Sequence, residues 1–276
     1  MSADQPDALP SQPTSGPVSD APSASTVAGP LLGVVFALLG GAVAWLILWV
    51  YHPVFIVPPE IISRGMAMSA TAEDAVALAA AQRTANRWNA AFALAVIGAL
   101  VGGSLGIAEG LGRRSMAFVV VGGLVCTLLG SLFGAVAGMA AEWSVPFVRP
   151  SAEAYALFGT LAVQAIGFGT LGAGVGLGLQ AATRRAHGVP NLLLVGLLAG
   201  ISTAVVYTLI AAVIGMLVPV IQTEITIPAD LLSRAVWIGL AAVLLGAILL
   251  GAGDKPGKAD RGPQSPEAGD QGDQDL

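Results

Sequence analysis

The chain has 276 residues, of which 55% are hydrophobic and 11% charged, and its formal net charge is −5 at pH 7. Because about 25% of the residues in a typical soluble domain are charged, this composition excludes a soluble globular protein. The acidic balance argues against a nucleic-acid partner, and the single cysteine, Cys126, excludes a disulfide framework.

Six long apolar stretches run through the chain, and each is close to the ~20 residues that cross a bilayer as a helix. They cover residues 31–50, 90–110, 116–140, 154–179, 192–218 and 235–251. We therefore predict an all-α membrane protein with six transmembrane helices within residues 29–252. Residues 1–28 and the acidic residues 253–276 are polar and poor in bulky apolar side chains, so we predict two disordered tails.

Basic residues follow the second, fourth and sixth apolar stretches. They are Arg113, Arg114, Arg184, Arg185, Lys255 and Lys258. Short loops rich in Lys and Arg stay on the cytoplasmic side of a membrane. We predict a multi-pass protein of the inner (cytoplasmic) membrane with both termini in the cytoplasm.

The same basic positions recur with a period of about 71 residues, at Arg113, Arg184 and Lys255. On the other predicted side, residues 58–64 and 228–234 share a proline, an acid, two aliphatic residues, Ser and Arg. We interpret the chain as three tandem helical hairpins, which are repeats in parallel orientation because each contains two spans. The predicted hairpins are residues 29–112, 113–183 and 184–252.

The first hairpin is longer than the others and contains an insertion. Within it, Thr71 is followed three residues later by Asp74 and then by an Ala-rich run. This spacing is typical of a capping box at a helix start. We predict an inserted external helix over residues 71–88, and it is the best candidate for a partner contact.

Small residues recur at every fourth position in the second, third and fifth stretches. The resulting helix-packing candidates are Gly98, Gly102, Gly106, Gly122, Gly130, Gly134, Gly138, Gly196 and Gly200. Small residues let the backbones of membrane helices approach closely. The partner helix could belong to the same chain or to another subunit.

Two polar side chains are candidates for a role inside the membrane. Glu109 precedes Arg113 by four residues, which favours an ion pair at a helix end, and an ion-coupling site is the alternative. Gln164 lies well inside a span and needs a hydrogen-bond partner, either on a neighbouring helix or along a solute path. Six aromatic residues near span ends are predicted interface anchors: Trp45, Trp49, Tyr51, Trp88, Trp143 and Trp237.

A catalytic site is not predicted. Residues 102–106 match the G-x-S-x-G pattern around Ser104, but a serine nucleophile needs a base at the same depth. His52 and His187 lie at a span end and in a loop, so neither can serve. We predict no enzyme activity, no cofactor and no metal site.

The composition and the glycine pattern together favour a membrane scaffold, anchor or accessory subunit. We expect it to assemble through glycine-rich helix faces, with the lipid bilayer around it and a second copy or another membrane protein as partner. The alternative is a small-solute transporter or channel built around three parallel hairpins. Such a protein needs buried charge or broken helices near mid-membrane, and the sequence offers little of either.

Overall fold

The computed structural model describes residues 25–148, 156–183, 191–217, 226–228 and 230–253. This part of the chain contains seven α-helices and no strand. The helices are α1 (Ser25–Tyr51), α2 (Pro59–Gly65), α3 (Ala72–Gly112), α4 (Met116–Val148), α5 (Ala156–Thr183), α6 (Leu192–Leu217) and α7 (Leu231–Gly253). All except α2 are long and apolar enough to cross a membrane. The prediction of an all-α chain with six such helices is therefore confirmed.

Several predicted features lie outside the described residues. They are most of both tails, the Arg184–Arg185 pair, Lys255 and Lys258. Helix α1 begins at Ser25, about one turn before the predicted start of the membrane domain at residue 29.

Helix α3 joins the predicted inserted helix to the second span without a break. Its 41 residues extend about 60 Å at 1.5 Å per residue, roughly twice the hydrocarbon thickness of a bilayer. Thr71 caps the helix, since its hydroxyl accepts from the Asp74 N–H at 3.2 Å and its own N–H donates to the Asp74 carboxylate at 2.9 Å. The predicted capping box is thus confirmed. About two fifths of α3, from Ala72 to Trp88, continues beyond the packed bundle.

The six long helices alternate between inner and outer positions. Among the described residues, α3, α5 and α7 contact one another at the centre. Each remaining long helix packs between two of these: α1 between α3 and α7, α4 between α3 and α5, and α6 between α5 and α7. The three outer helices do not contact one another within this part of the chain. The second, fourth and sixth spans, which are α3, α5 and α7, therefore form the core. The first, third and fifth spans, which are α1, α4 and α6, cover it.

Glycines set the distance between α3 and α4. Glycines recur at every fourth residue along this contact, and a Cβ atom placed on any of them would touch the backbone of the facing helix. The facing pairs are Gly110 with Val119, Gly106 with Gly122, Gly102 with Cys126, Gly98 with Gly130, Leu94 with Gly134, and Ala90 with Gly138. Because backbone meets backbone along the whole contact, no side chain larger than hydrogen fits at these glycines without moving a helix.

The α5–α6 contact repeats this arrangement on a smaller scale. Gly172 faces Gly196, Gly176 faces the Leu192 carbonyl, and Gly200 faces the Phe168 carbonyl. Gly33 and Gly246 bring α1 to α7 in the same way. The structure thus places the predicted glycine candidates in contacts between helices of the same chain.

We predict that Gly134→Ala destabilises the folded protein. The added methyl group would meet the carbonyl oxygen and carbon of Leu94 and the nitrogen of Ala95, which are backbone atoms that cannot turn aside. Overpacking of this kind costs about 1–3 kcal/mol. Thermal unfolding of the purified protein in detergent measures the loss.

Gly239→Ala is the matched control for that substitution. Gly239 also lies within a membrane helix, but a Cβ there has no neighbouring atom within 4 Å. Because Ala favours a helix over Gly by about 1 kcal/mol, this variant should be neutral or slightly more stable. Equal unfolding temperatures for the two variants would contradict the packing argument.

Candidate functional site

A buried hydrogen-bonded cluster joins α5 to α7. Gln164 of α5 has only 3% of its surface exposed. Its amide nitrogen donates to the Thr226 carbonyl at 3.1 Å, and its amide oxygen accepts from the Trp237 indole N–H at 3.0 Å. Both ends of the amide are therefore satisfied by other parts of the chain, as a buried polar group in a membrane requires. This geometry matches the interpretation of Gln164 as a link between helices.

The prediction that Trp237 is an interface anchor is wrong. Its side chain is 1% exposed, and its ring lies 5.0 Å from that of Phe168 on α5. Trp237 comes two turns into α7, where α5 covers it. Of the other predicted anchors, Trp49, Tyr51, Trp88 and Trp143 are exposed. The indole N–H of Trp45 instead donates to the Leu231 carbonyl at 3.2 Å.

Arg234 ties the start of α7 to the end of α1. It is 5% exposed, and its guanidinium donates to the Pro228 carbonyl through two nitrogens, at 3.2 and 3.1 Å. A third nitrogen donates to the Leu48 carbonyl at 3.1 Å. Carbonyl oxygens at the end of α1 carry partial negative charge, which suits a cation. The sequence pattern of residues 228–234 gives no sign of this buried contact.

The two copies of the Pro-acid-Ser-Arg pattern differ in structure. Asp230 accepts from the Ser233 N–H at 2.7 Å and so caps α7. Arg64, the counterpart of Arg234, is exposed and donates to the carbonyl of Glu60 in its own short helix. The same residues therefore serve a helix–helix contact in one place and a local helix end in the other.

His52 completes the cluster at the end of α1. Its Nδ1 lies 3.4 Å from the Arg234 guanidinium. Burial, followed by the charge of Arg234, lowers the pKa of His52 from 6.5 to about 4. The imidazole is therefore neutral at physiological pH, and it can accept from the guanidinium through Nδ1.

Glu109 and Arg113 form the predicted ion pair, with 2.9 Å between the carboxylate and the guanidinium. Both side chains are partly exposed at the end of α3, and Arg113 also lies 5.1 Å above the Phe118 ring. The structure does not bring Glu109 near Gln164. Glu109 lies at the α3–α4 turn, whereas Gln164 lies near the start of α5, at the other end of the bundle.

A projecting hairpin, residues 53–88, extends from the other end of the bundle. Asn89 fixes its base, because its side-chain oxygen accepts from the N–H groups of Val54 and Phe55 at 3.0 and 2.9 Å. Its amide nitrogen donates to the Phe55 carbonyl at 2.8 Å. Higher up, Gly65 of α2 lies against the Leu78 side chain of α3. The hairpin is thus attached both to the bundle and along its own length.

The tip of this hairpin exposes apolar side chains. Helix α2 contains no buried residue. Met66 and Met68 in the turn are 77% and 111% exposed, and Val76, near the start of α3, is 69% exposed. Clusters of large exposed apolar residues mark interaction surfaces more often than scattered single ones do.

Comparisons of this chain with protein-family models, with curated proteins and with solved structures give no match. Two features of the described residues remain as candidates for a functional role. In the buried cluster, Trp237 donates a hydrogen bond to Gln164, and Gln164 donates one to the Thr226 carbonyl, so both side chains are engaged within the protein. The hairpin tip instead leaves its apolar side chains open to another molecule.

We predict that Gln164 and Trp237 are energetically coupled. Gln164→Leu leaves the indole N–H without its acceptor in a buried site, which costs about 1–3 kcal/mol. In a double-mutant cycle with Trp237→Phe, the coupling energy should fall near the ~0.6–1.7 kcal/mol found for hydrogen bonds between membrane helices. Unfolding free energies of the four proteins measure it.

Gln180→Leu is the control on the same helix. The buried amide oxygen of Gln180 has no hydrogen-bond partner in the described part of the chain. This substitution should therefore cost less than Gln164→Leu. Strictly additive effects of Gln164→Leu and Trp237→Phe would show that their hydrogen bond contributes nothing to stability.

Proposed function

We propose that the protein is a membrane scaffold or accessory subunit without catalytic activity, which binds a partner protein through the tip of the projecting hairpin. The observation that carries this proposal is the exposure of Met66 and Met68 far from the bundle. Asn89 lies seventeen residues after Ala72, the first residue of α3, a distance of about 25 Å at 1.5 Å per residue. With Asn89 at the membrane surface and α3 along the membrane normal, the tip would lie beyond the lipid that surrounds the spans.

The composition of the hairpin indicates what kind of partner it fits. Three acidic residues and three arginines within residues 53–88 balance one another, so electrostatic attraction contributes little. The methionines are flexible and polarisable and adapt to irregular apolar surfaces. We therefore expect an apolar protein surface as the partner, rather than an acidic or basic one.

The glycine-rich faces take a different part in this proposal. Gly98, Gly130, Gly172 and Gly196 already face helices of the same chain, so these glycines hold the bundle together. We accordingly assign the partner contact to the hairpin tip. A second copy of the chain could still contact the outer helices α1, α4 and α6, which expose many apolar side chains.

The finer features of the architecture belong to the same proposal. Three tandem hairpins in parallel orientation are supported by the alternation of inner and outer helices around the centre. The basic residues at the α3–α4 turn, Arg113 and Arg114, support a cytoplasmic position for that turn and for both termini, in an inner membrane. The hairpin tip would then face away from the cytoplasm. The two polar tails are proposed to be disordered on composition alone.

A small-solute transporter is the second candidate, and the buried cluster favours it. Gln164 and Arg234 are polar side chains enclosed near one end of the bundle, and such residues line solute paths in many membrane proteins. Solute flux into proteoliposomes that is lost in Gln164→Leu would support this function over the scaffold.

We predict that a photo-crosslinking residue at Met68 forms a discrete adduct with a partner protein in native membranes. The same residue at Gln82, which is exposed on the side of α3, should give little adduct. Met66→Asp in the Met68 crosslinking variant should abolish the adduct, because it places a charge in an apolar contact. Adducts of equal yield from both positions, or only with lipid, would count against the proposal.

We predict that the α3–α4 turn and the hairpin tip lie on opposite sides of the membrane. In a Cys126→Ser background, a membrane-impermeant maleimide should label the Met68→Cys variant from outside intact cells. The Ser115→Cys variant should be labelled only after the membrane is opened. Labelling of both variants in intact cells would refute the topology.

A further inference from the structure

A groove lies between α3 and α4 at the base of the projecting hairpin. It is lined by seven residues, and we refer to Val136, Met139 and Ala140 as its floor and to Thr84, Arg87, Trp88 and Trp143 as its rim. The cavity has a volume of about 510 Å³, within the range of small-molecule sites. It opens at the end of the bundle opposite the α3–α4 turn.

The rim of the groove offers hydrogen-bond donors. The guanidinium of Arg87 and the indole N–H groups of Trp88 and Trp143 have no acceptor among the described residues, whereas the Thr84 hydroxyl on the same rim donates to the Ala80 carbonyl. Arg87 is the charged residue of the lining. A guanidinium binds phosphate oxygens through paired hydrogen bonds. The rim is therefore complementary to an anionic headgroup.

The floor of the groove continues into an apolar stripe. Below Val136, the residues Leu132, Leu128 and Leu124 follow at every fourth position of α4, and all are exposed. From Val136 to Leu124 the stripe measures about 18 Å at 1.5 Å per residue, close to half the hydrocarbon thickness of a bilayer. This length suits one acyl chain in one leaflet.

From these observations we propose that the groove binds an anionic phospholipid. Its phosphate accepts from Arg87 and the indoles, and one acyl chain lies over Val136, Met139 and Ala140 along the α4 stripe. The exposed Trp88 and Trp143 fix the depth, since tryptophan is enriched where hydrocarbon meets headgroups. A soluble anion would accept hydrogen bonds from the rim but leave the apolar floor uncovered. A lipid would accept those hydrogen bonds with its phosphate and cover the floor with its acyl chain.

The test measures which lipids stay on the purified full-length protein, by native mass spectrometry. The protein is mixed in detergent with phosphatidylglycerol and phosphatidylcholine of identical acyl chains. We expect phosphatidylglycerol to be retained preferentially. Arg87→Gln should lower its retention about tenfold, equivalent to about 1.4 kcal/mol, because the variant loses the charge-assisted hydrogen bonds to the phosphate. Arg83→Gln, a matched control one turn away and outside the groove lining, should change retention less than twofold.

A second pair of variants tests the acyl-chain part of the site. Ala140→Trp fills the floor of the groove and should also lower retention, whereas Leu198→Trp, on the exposed face of α6, should not. Equal retention of both lipids, or equal effects of Arg87→Gln and Arg83→Gln, would overturn the proposal. Displacement of the lipid by millimolar glycerol phosphate would also overturn it, because the site would then bind the anion only.

Discussion

The structure depends on close contact between helix backbones. Within a bilayer, apolar side chains gain nothing by leaving lipid, so helices associate through packing and hydrogen bonds. In the α3–α4 pair, Gly98 and Gly130 each lie against the carbonyl of the other. The contact repeats at every fourth residue and fixes the register of the two helices. That register in turn determines what meets at the ends: Arg113 with the Phe118 ring at the turn, and Arg87 with Trp143 at the groove.

Beyond the glycine contacts, hydrogen bonds between side chains and backbone groups join the helices. The last glycine of the α5–α6 series faces Phe168, and one turn further along α5 is Gln164, bonded to Trp237 of α7. The ends of α1 and α7 are joined by Arg234 through carbonyl groups. These hydrogen bonds fix the relative position of the helices more strictly than apolar contacts do, because a buried polar group that loses its partner costs free energy. They fix how α1, α5 and α7 converge at this end of the bundle.

The sequence predicts contacts between residues three or four positions apart, but it does not predict contacts between residues far apart in the chain. Thr71 with Asp74 and Glu109 with Arg113 are pairs three and four residues apart, so helix geometry alone predicts their contacts. The contact between Gln164 and Trp237 spans 73 residues. A tryptophan near a span end is amphipathic enough for either the membrane interface or a buried contact, and only the neighbouring helix decides which. Asn89 carries no sequence signal at all, since its partners are backbone groups.

The hairpin tip is positioned by the bundle because α3 has no hinge. The helix contains neither Gly nor Pro from Ala72 to Ile97, and these are the residues at which helices most often kink. Asn89 holds the returning chain at the point where the bundle begins, so the base cannot open without losing three hydrogen bonds. The tip is therefore held at a set distance and orientation from the bundle. The proposed scaffold role would depend on this property, which follows from one continuous helix anchored by backbone contact along its inner half.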